Sequence, residues 1–212
     1  MIMLTIKNFS KSYYQEKILS FPELKIPKGI HWVKGENGSG KTTFFKALSG
    51  LLPYHGEISF DDGISLNNNP VHFRKLINYG EAEPLYPGFL TAKDIIRFVG
   101  KTKGSSVSHQ KKITEHFEIP AFEEKSCQTY SSGMLKKLSL ALAFLGTPRC
   151  IILDEPLITL DEHARCRLFD MINDSIRKDG TSFLISSHQV IENISIGPIN
   201  TYTIQDKTIT LA

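Results

Sequence analysis

Between a short apolar stretch, Ile30 to Val33, and a helical pattern that opens at Gly40 lies Gly35-Glu36-Asn37-Gly38-Ser39-Gly40-Lys41-Thr42, which fits G-x-x-x-x-G-K-[ST]. A strand, a glycine loop and a helix in that order constrain the chain to an α/β layout built around a phosphate. The glycines let backbone N–H groups turn inward, the helix N-terminus adds partial positive charge, and Lys41 adds a full one. Thr42 offers a hydroxyl to Mg²⁺, and Thr43 follows it into the first helical turn. The helix is expected from Gly40 to about Leu52, because Phe44, Phe45, Leu48 and Leu51 recur at helical spacing.

Before the loop, apolar alternation in Leu4 to Phe9 and Ile18 to Ile26 predicts antiparallel strands punctuated by Pro22 and Pro27. From Thr91 to Leu145 the pattern is helical, with segments near Ala92 to Val99, Ser108 to Phe117 and Ser132 to Leu145. An apolar run Cys150 to Leu153, a helix from about Glu162 to Arg177 and a strand Ser182 to Ser186 then form a βαβ order that favours a parallel sheet. Thr201 to Ile204 and Thr208 to Leu211 read as a closing hairpin around Gln205-Asp206-Lys207.

Cys150-Ile151-Ile152-Leu153-Asp154-Glu155 ends a buried strand in two carboxylates, a costly arrangement unless they emerge at the strand's C-terminal edge, where α/β ligands bind. Such a pair is often only a solvated strand end. Beside a phosphate loop it takes another meaning: Asp154 holds the Mg²⁺ shell and Glu155 polarises the water that attacks a γ-phosphate.

Tyr130-Ser131-Ser132-Gly133-Met134 is an ordinary capped helix start, yet it stands shortly before the acidic strand. With that order the chain resembles the ABC (ATP-binding cassette) ATPases, whose L-S-G-G-Q signature it matches at Ser131 and Gly133 and leaves at Tyr130, Ser132 and Met134. The Y-S-x-G-M form is similar to that of many exporter-type ATPases. The resemblance covers nearly the whole chain and implies a P-loop NTPase core with a mixed, mainly parallel sheet, an N-terminal antiparallel β subdomain and a helical insertion. It implies one ATPase domain over 1–212, with the helical subdomain at approximately 91–146.

The same resemblance implies roles for further residues. Asp161 matches the loop that touches the opposite subunit; as an alternative it caps a helix, for which Thr159 with Glu162 also makes a capping box. His188 matches the switch histidine that contacts the γ-phosphate, and Tyr13, rather than the adjacent Tyr14, the aromatic that stacks on adenine. Glu81 departs from the family, which mostly places there a glutamine that senses Mg²⁺ and the attacking water. The following Leu85-Tyr86-Pro87 and Leu90-Thr91 look like the segment of ABC-2 type exporters, including lantibiotic self-protection systems.

What the resemblance implies as a whole is an ATP-hydrolysing motor subunit of a membrane transporter, using ATP and Mg²⁺ and more consistent with an exporter. Two such domains, as homodimer or heterodimer, would sandwich ATP between the glycine loop of one and Ser131, Ser132 and Gly133 of the other, on a transmembrane permease subunit. Leu85, Tyr86, Phe89 and Leu90 form an apolar cluster for a short permease helix, unless they pack internally. The alternative is a soluble ABC ATPase driving cofactor assembly or nucleic-acid work without a permease.

Composition bears on that choice. A net charge of +3 from 25 basic and 22 acidic residues contains no long single-sign run, so charge says little about partners. No nucleic-acid partner is expected because the ABC ATPases that act on nucleic acid usually fuse two cassettes or carry long insertions, and neither is seen in this sequence. The most apolar long stretch, Leu138 to Leu145, falls far short of the ~20 residues that cross a bilayer. The expected place is the cytoplasm, peripheral on the inner face of the cell membrane through the permease. Cys127, Cys150 and Cys166, without Cys-x-x-Cys spacing, are expected as free thiols.

Overall fold

In a computed structural model, described for residues 1–187 and 198–212, two sheets share the chain. The first is antiparallel, in the order β2-β1-β4, from β1 (Ile2–Tyr13), β2 (Glu16–Pro27) and β4 (His55–Phe60). The second has the order β5-β6-β7-β3-β8-β9. It takes β3 (Ile30–Lys34), β5 (Ile77–Gly80), β6 (Cys150–Leu153), β7 (Ser182–Ser186), β8 (Ile199–Gln205) and β9 (Thr208–Leu211). The first five strands of that order run parallel, and β9 turns back antiparallel on β8. This is the expected P-loop NTPase architecture.

Two apolar cores meet on the parallel sheet. Alternation along β6 sends Cys150 and Ile152 toward one core, with Phe44 and Phe45 of α1 (Lys41–Leu48) and Phe9 and Ile58 of the antiparallel sheet. Ile151 and Leu153 face the other, with residues of α3 (Ala92–Thr102), α5 (Ser132–Ala143) and α6 (Glu162–Asp179). A strand covered on both faces reads as a continuous apolar run, as Cys150 to Leu153 does.

The helical stretch comprises α3, α4 (Val107–His116) and α5, with 3₁₀ turns at Ile119–Ala121 and Cys127–Thr129. Thr91 and Asp94 cap α3 reciprocally: Thr91 Oγ1 accepts from Asp94 N (3.1 Å), and Asp94 Oδ2 accepts from Thr91 N (3.1 Å). Tyr130, a departure from the signature, is buried; its hydroxyl accepts from Ala92 N (3.0 Å) and donates to the Lys125 carbonyl (2.9 Å). It fastens the start of α3 to the chain ahead of α5.

Several expectations need correction. The α1 helix ends at Leu48, four residues short of Leu52, because Gly50 turns into the left-handed region (φ 71°) and Leu51 is exposed. Asp161, not Thr159, caps α6, accepting from Ala164 N at 2.7 Å; Thr159 has φ 65°, so the Thr159–Glu162 capping box does not form. Strands β4 and β5 and helix α2 (Pro70–Leu76) were not legible in the pattern. Asn78 explains β5: a poor strand former, it is buried there because its Nδ2 donates to the carbonyls of Ala143 (2.7 Å) and Leu145 (2.8 Å) at the end of α5.

Candidate nucleotide site

The glycine loop leaves β3 at the carboxyl edge of the parallel sheet and enters α1. Gly38 (φ 80°) and Gly40 (φ 103°) both occupy the left-handed region that aims successive N–H groups inward. At Gly35 the constraint is space: a Cβ would lie 2.5 Å from Ser39 Oγ and 2.8 Å from the Ile204 carbonyl. Lys41 is 8% exposed, and its Nζ donates to the Gly35 (2.8 Å) and Glu36 (3.0 Å) carbonyls of its own loop. An ammonium has three protons, so one remains for a phosphate oxygen. Burial lowers the Lys41 pKa from its ordinary value, while Glu155 and Asp154 pull the other way and favour the charged form.

The loop faces a cleft of ≈ 280 Å³ lined by Asn37, Gly38, Gly40, Thr42, Asp154 and Glu155, among others. Strand order explains the meeting. Between β3, which leads to Lys41, and β6, which leads to Asp154, lies β7, and its last residue bridges them. Ser186 Oγ donates to Asp154 Oδ1 at 2.6 Å and accepts from Glu155 N at 3.0 Å, while Tyr79 donates to Asp154 Oδ2 at 3.1 Å. Asp154 is thus fully buried with both oxygens held. Glu155 has φ 44° ahead of Pro156, a backbone strain of the kind retained at functional sites. Sequence reasoning missed Ser186 and Tyr79; Ser186 could have been found as the last residue of the strand Ser182–Ser186, whereas Tyr79 lies in β5, which the pattern did not show.

A hydroxyl and a carboxylate on one cleft fit Mg²⁺, which keeps several waters and takes one or two protein ligands beside substrate phosphates. Among the described residues no cluster of three or more His, Cys, Asp or Glu would hold a metal unaided. Glu36 and Asn37 are exposed at the loop's crest, next to a second hollow of ≈ 540 Å³ reaching Glu16 and Lys207. Tyr13, 42% exposed, ends β1 opposite Glu16 with Lys11 Nζ 4.7 Å from its ring centre. Tyr14, fully exposed with φ 52°, forms the turn.

Other expected residues lie apart from this cleft. Ser131 caps α5 by accepting from Met134 N (3.3 Å). A Cβ on Gly133 would meet the Thr159 carbonyl at 3.4 Å, which brings the signature turn against the segment leading to Asp161. Ser131, Ser132 and Asp161 are all exposed and together make a second polar patch. Glu81 borders a groove with Tyr79, Tyr86 and Ser139 rather than the cleft of Thr42 and Asp154, and its N–H donates to Ser139 Oγ (3.0 Å). His188 lies outside the described residues. The apolar cluster divides: Tyr86 and Leu90 pack on the core, whereas Leu85 and Phe89 are 88% and 82% exposed.

With loop, acidic strand and signature turn in these positions, the relatives can be compared. The ABC transporter family model matches residues 22–158. The chain is 32% identical over 192 residues to the lantibiotic transport ATP-binding protein SrtF of Streptococcus pyogenes, covering 90% of this chain and 82% of that one. It is 28% identical over 190 residues to the ABC transporter ATP-binding protein YtrB of Bacillus subtilis, covering 89% and 64%. In fold it is similar to the ATP-binding subunit of an ABC transporter, with a TM-score of 0.86 and 23% identity over 99% of this chain and 89% of that one. A dimeric post-hydrolysis ATP-binding cassette bound to ADP and Pi gives a TM-score of 0.83 and 20% identity, covering 98% and 96%. The chain belongs to the ABC transporter family, as an ATP-binding subunit and ATPase.

Among the described residues no helix is long and apolar enough to cross a membrane. Cys127, Cys150 and Cys166 are free thiols, as expected.

Proposed function

We propose that this chain is one ATPase domain over 1–212, with a helical subdomain at approximately 91–146, that drives a membrane exporter from the inner face of the cell membrane through a transmembrane permease. The observation that carries this reading is the pairing of Lys41, Thr42, Asp154 and Glu155 on one cleft with a separate exposed patch of Ser131, Ser132 and Asp161. Two separate half-sites on one chain suit a head-to-tail homodimer or heterodimer in which each ATP is held by both partners. The similarity to SrtF, a lantibiotic transport ATP-binding protein, supports a transport role.

In this reading the N–H groups of Gly35 to Thr43 and the Lys41 ammonium hold the phosphates, and Tyr13 stacks on adenine. Thr42 and Asp154 would hold Mg²⁺, with Glu81 contributing to its shell, and the ion would supply positive charge against the phosphates. Glu155 accepts a proton from the attacking water, and His188 contacts the γ-phosphate. Ser186 and Tyr79 keep Asp154 in place. Phosphoryl transfer depends mainly on positioning and charge stabilisation, so a site completed only in the dimer ties ATP use to a conformational cycle.

Co-expression with any polytopic membrane protein found in a neighbouring reading frame tests the reading. A transporter subunit co-purifies with a polytopic partner that stimulates its ATPase activity. A chain with full ATPase activity and no membrane partner is the soluble alternative.

A further inference from the structure

Lys136, one turn into α5, is 1% exposed and touches no carboxylate within ion-pair distance among the described residues. Its Nζ instead donates to three backbone carbonyls, those of Glu81 (2.9 Å), Ala82 (3.0 Å) and Asp154 (3.2 Å). Three protons meet three acceptors, which satisfies the ammonium and leaves little reason for its burial in packing alone. What the arrangement joins is informative. The first two carbonyls belong to the turn leaving β5, the third to the strand end that carries Glu155, and the lysine itself to the helix opened by the signature turn.

Charge supports the same view. Asp154, Glu155, Glu81 and Glu83 all lie near enough to favour the protonated form of Lys136, and the three carbonyls that accept from its Nζ match an ammonium's three protons. Glu81 carries a carboxylate in this turn, and its own backbone carbonyl accepts from the buried Lys136 Nζ.

We propose that Lys136 is a positioning residue for ATP hydrolysis: its buried ammonium locks the Glu81–Ala82 turn to the Asp154 strand end and supplies the charge against which Glu81 is accommodated. The helix of the signature turn is thereby coupled to the hydrolytic carboxylates of the same chain. This inference rests on the ATPase reading above.

The test compares Lys136→Gln, Glu81→Gln and the double variant with wild type, by nucleotide affinity with a fluorescent ATP analogue, kcat and KM with the membrane partner, and hydrogen exchange. Lys136→Gln should lower kcat by about tenfold or more with KM and affinity within about threefold. It should also speed amide exchange across 80–83 while the interior of α5 keeps its protection. Adding Glu81→Gln should recover kcat by at least about threefold. Lys136→Arg, which keeps the charge, should hold kcat within about fivefold, and it decides the matter if Lys136→Gln fails to fold. The proposal is overturned by kcat within about twofold of wild type in Lys136→Gln, by single losses that simply multiply, or by a folded, ATP-binding Lys136→Arg chain as impaired as Lys136→Gln. Failure of wild type to bind Mg-ATP would instead overturn the ATPase reading itself.

Discussion

Ser186 Oγ stands 2.6 Å from Asp154 Oδ1, and this one hydroxyl joins the ends of two neighbouring parallel strands. Because it also accepts from Glu155 N, it fixes the carboxylate and the backbone that aims the next carboxylate. The acidic pair is therefore oriented by β7, through a serine that the sequence reading did not assign to the site.

Ser186→Ala should strip one donor from a fully buried carboxylate and leave Glu155 N without that acceptor, a loss of about 1–3 kcal/mol of stability for each buried group left unmet. Urea unfolding would read the loss, and kcat should fall with it because both carboxylates are loosened. Unchanged stability would mean that water replaces the hydroxyl without penalty.

Much of this was legible in local pattern. The glycine loop, the strand Cys150 to Leu153 and the β8–β9 hairpin announce themselves because turn chemistry, apolar runs and alternation are short-range signals. The region from Leu52 to Thr91 is different. Asn78 is a strand residue only because the end of α5 offers it two carbonyls, and Lys136 is buried only because two loops supply three more. Those acceptors come from positions 18 to 67 residues away, beyond any periodicity. The apolar cluster 85–90 shows the same limit, since pattern could not separate exposed Phe89 from packed Tyr86.

Glu155 lines the cleft beside Lys41 and Thr42. Glu155→Gln keeps the size of the side chain and removes its basicity, so ATP binding should persist while turnover slows by roughly 10²–10⁴-fold. ATP should then trap a dimer, visible by light scattering. Near-normal steady-state ATPase with the partner present would remove Glu155 from the role of base.

The exposed signature patch makes a prediction about two chains. A Lys41→Ala chain mixed with a Ser131→Arg chain can assemble at most one intact composite site per dimer, so ATP-driven dimerisation should weaken in either variant alone and recover in part on mixing. If Ser131→Arg alone dimerises like wild type, Ser131 does not contribute to the nucleotide site of its partner.

Leu85 and Phe89 project into solvent, whereas Tyr86 packs on the core, and this separates docking from folding. Phe89→Asp should leave thermal stability and ATP affinity near wild type and abolish co-purification with the membrane partner. Tyr86→Asp should lower stability first, because it places a charge against apolar side chains. Retained co-purification of a folded Phe89→Asp chain would move the docking surface elsewhere.

Lys103 gives a pH dependence remote from the nucleotide cleft. Its Nζ donates to the carbonyls of Arg74 and Ile77, and burial lowers its pKa from about 10.5 to about 8. Between those two values the unfolded chain binds more protons than the folded one at this residue, so its contribution makes stability rise with pH. The slope from one such group is at most about 1.4 kcal/mol per pH unit. Lys103→Met removes it. Urea unfolding of both chains at intervals from pH 7 to about 9.5 should show the wild type gaining on the variant by roughly 1–2 kcal/mol over that range. The window stops there because buried tyrosines act in the opposite direction once free phenols ionise; Tyr54, for instance, is pushed up to about 12. Parallel stability curves for the two chains would show that the Lys103 ammonium reaches water in the folded protein.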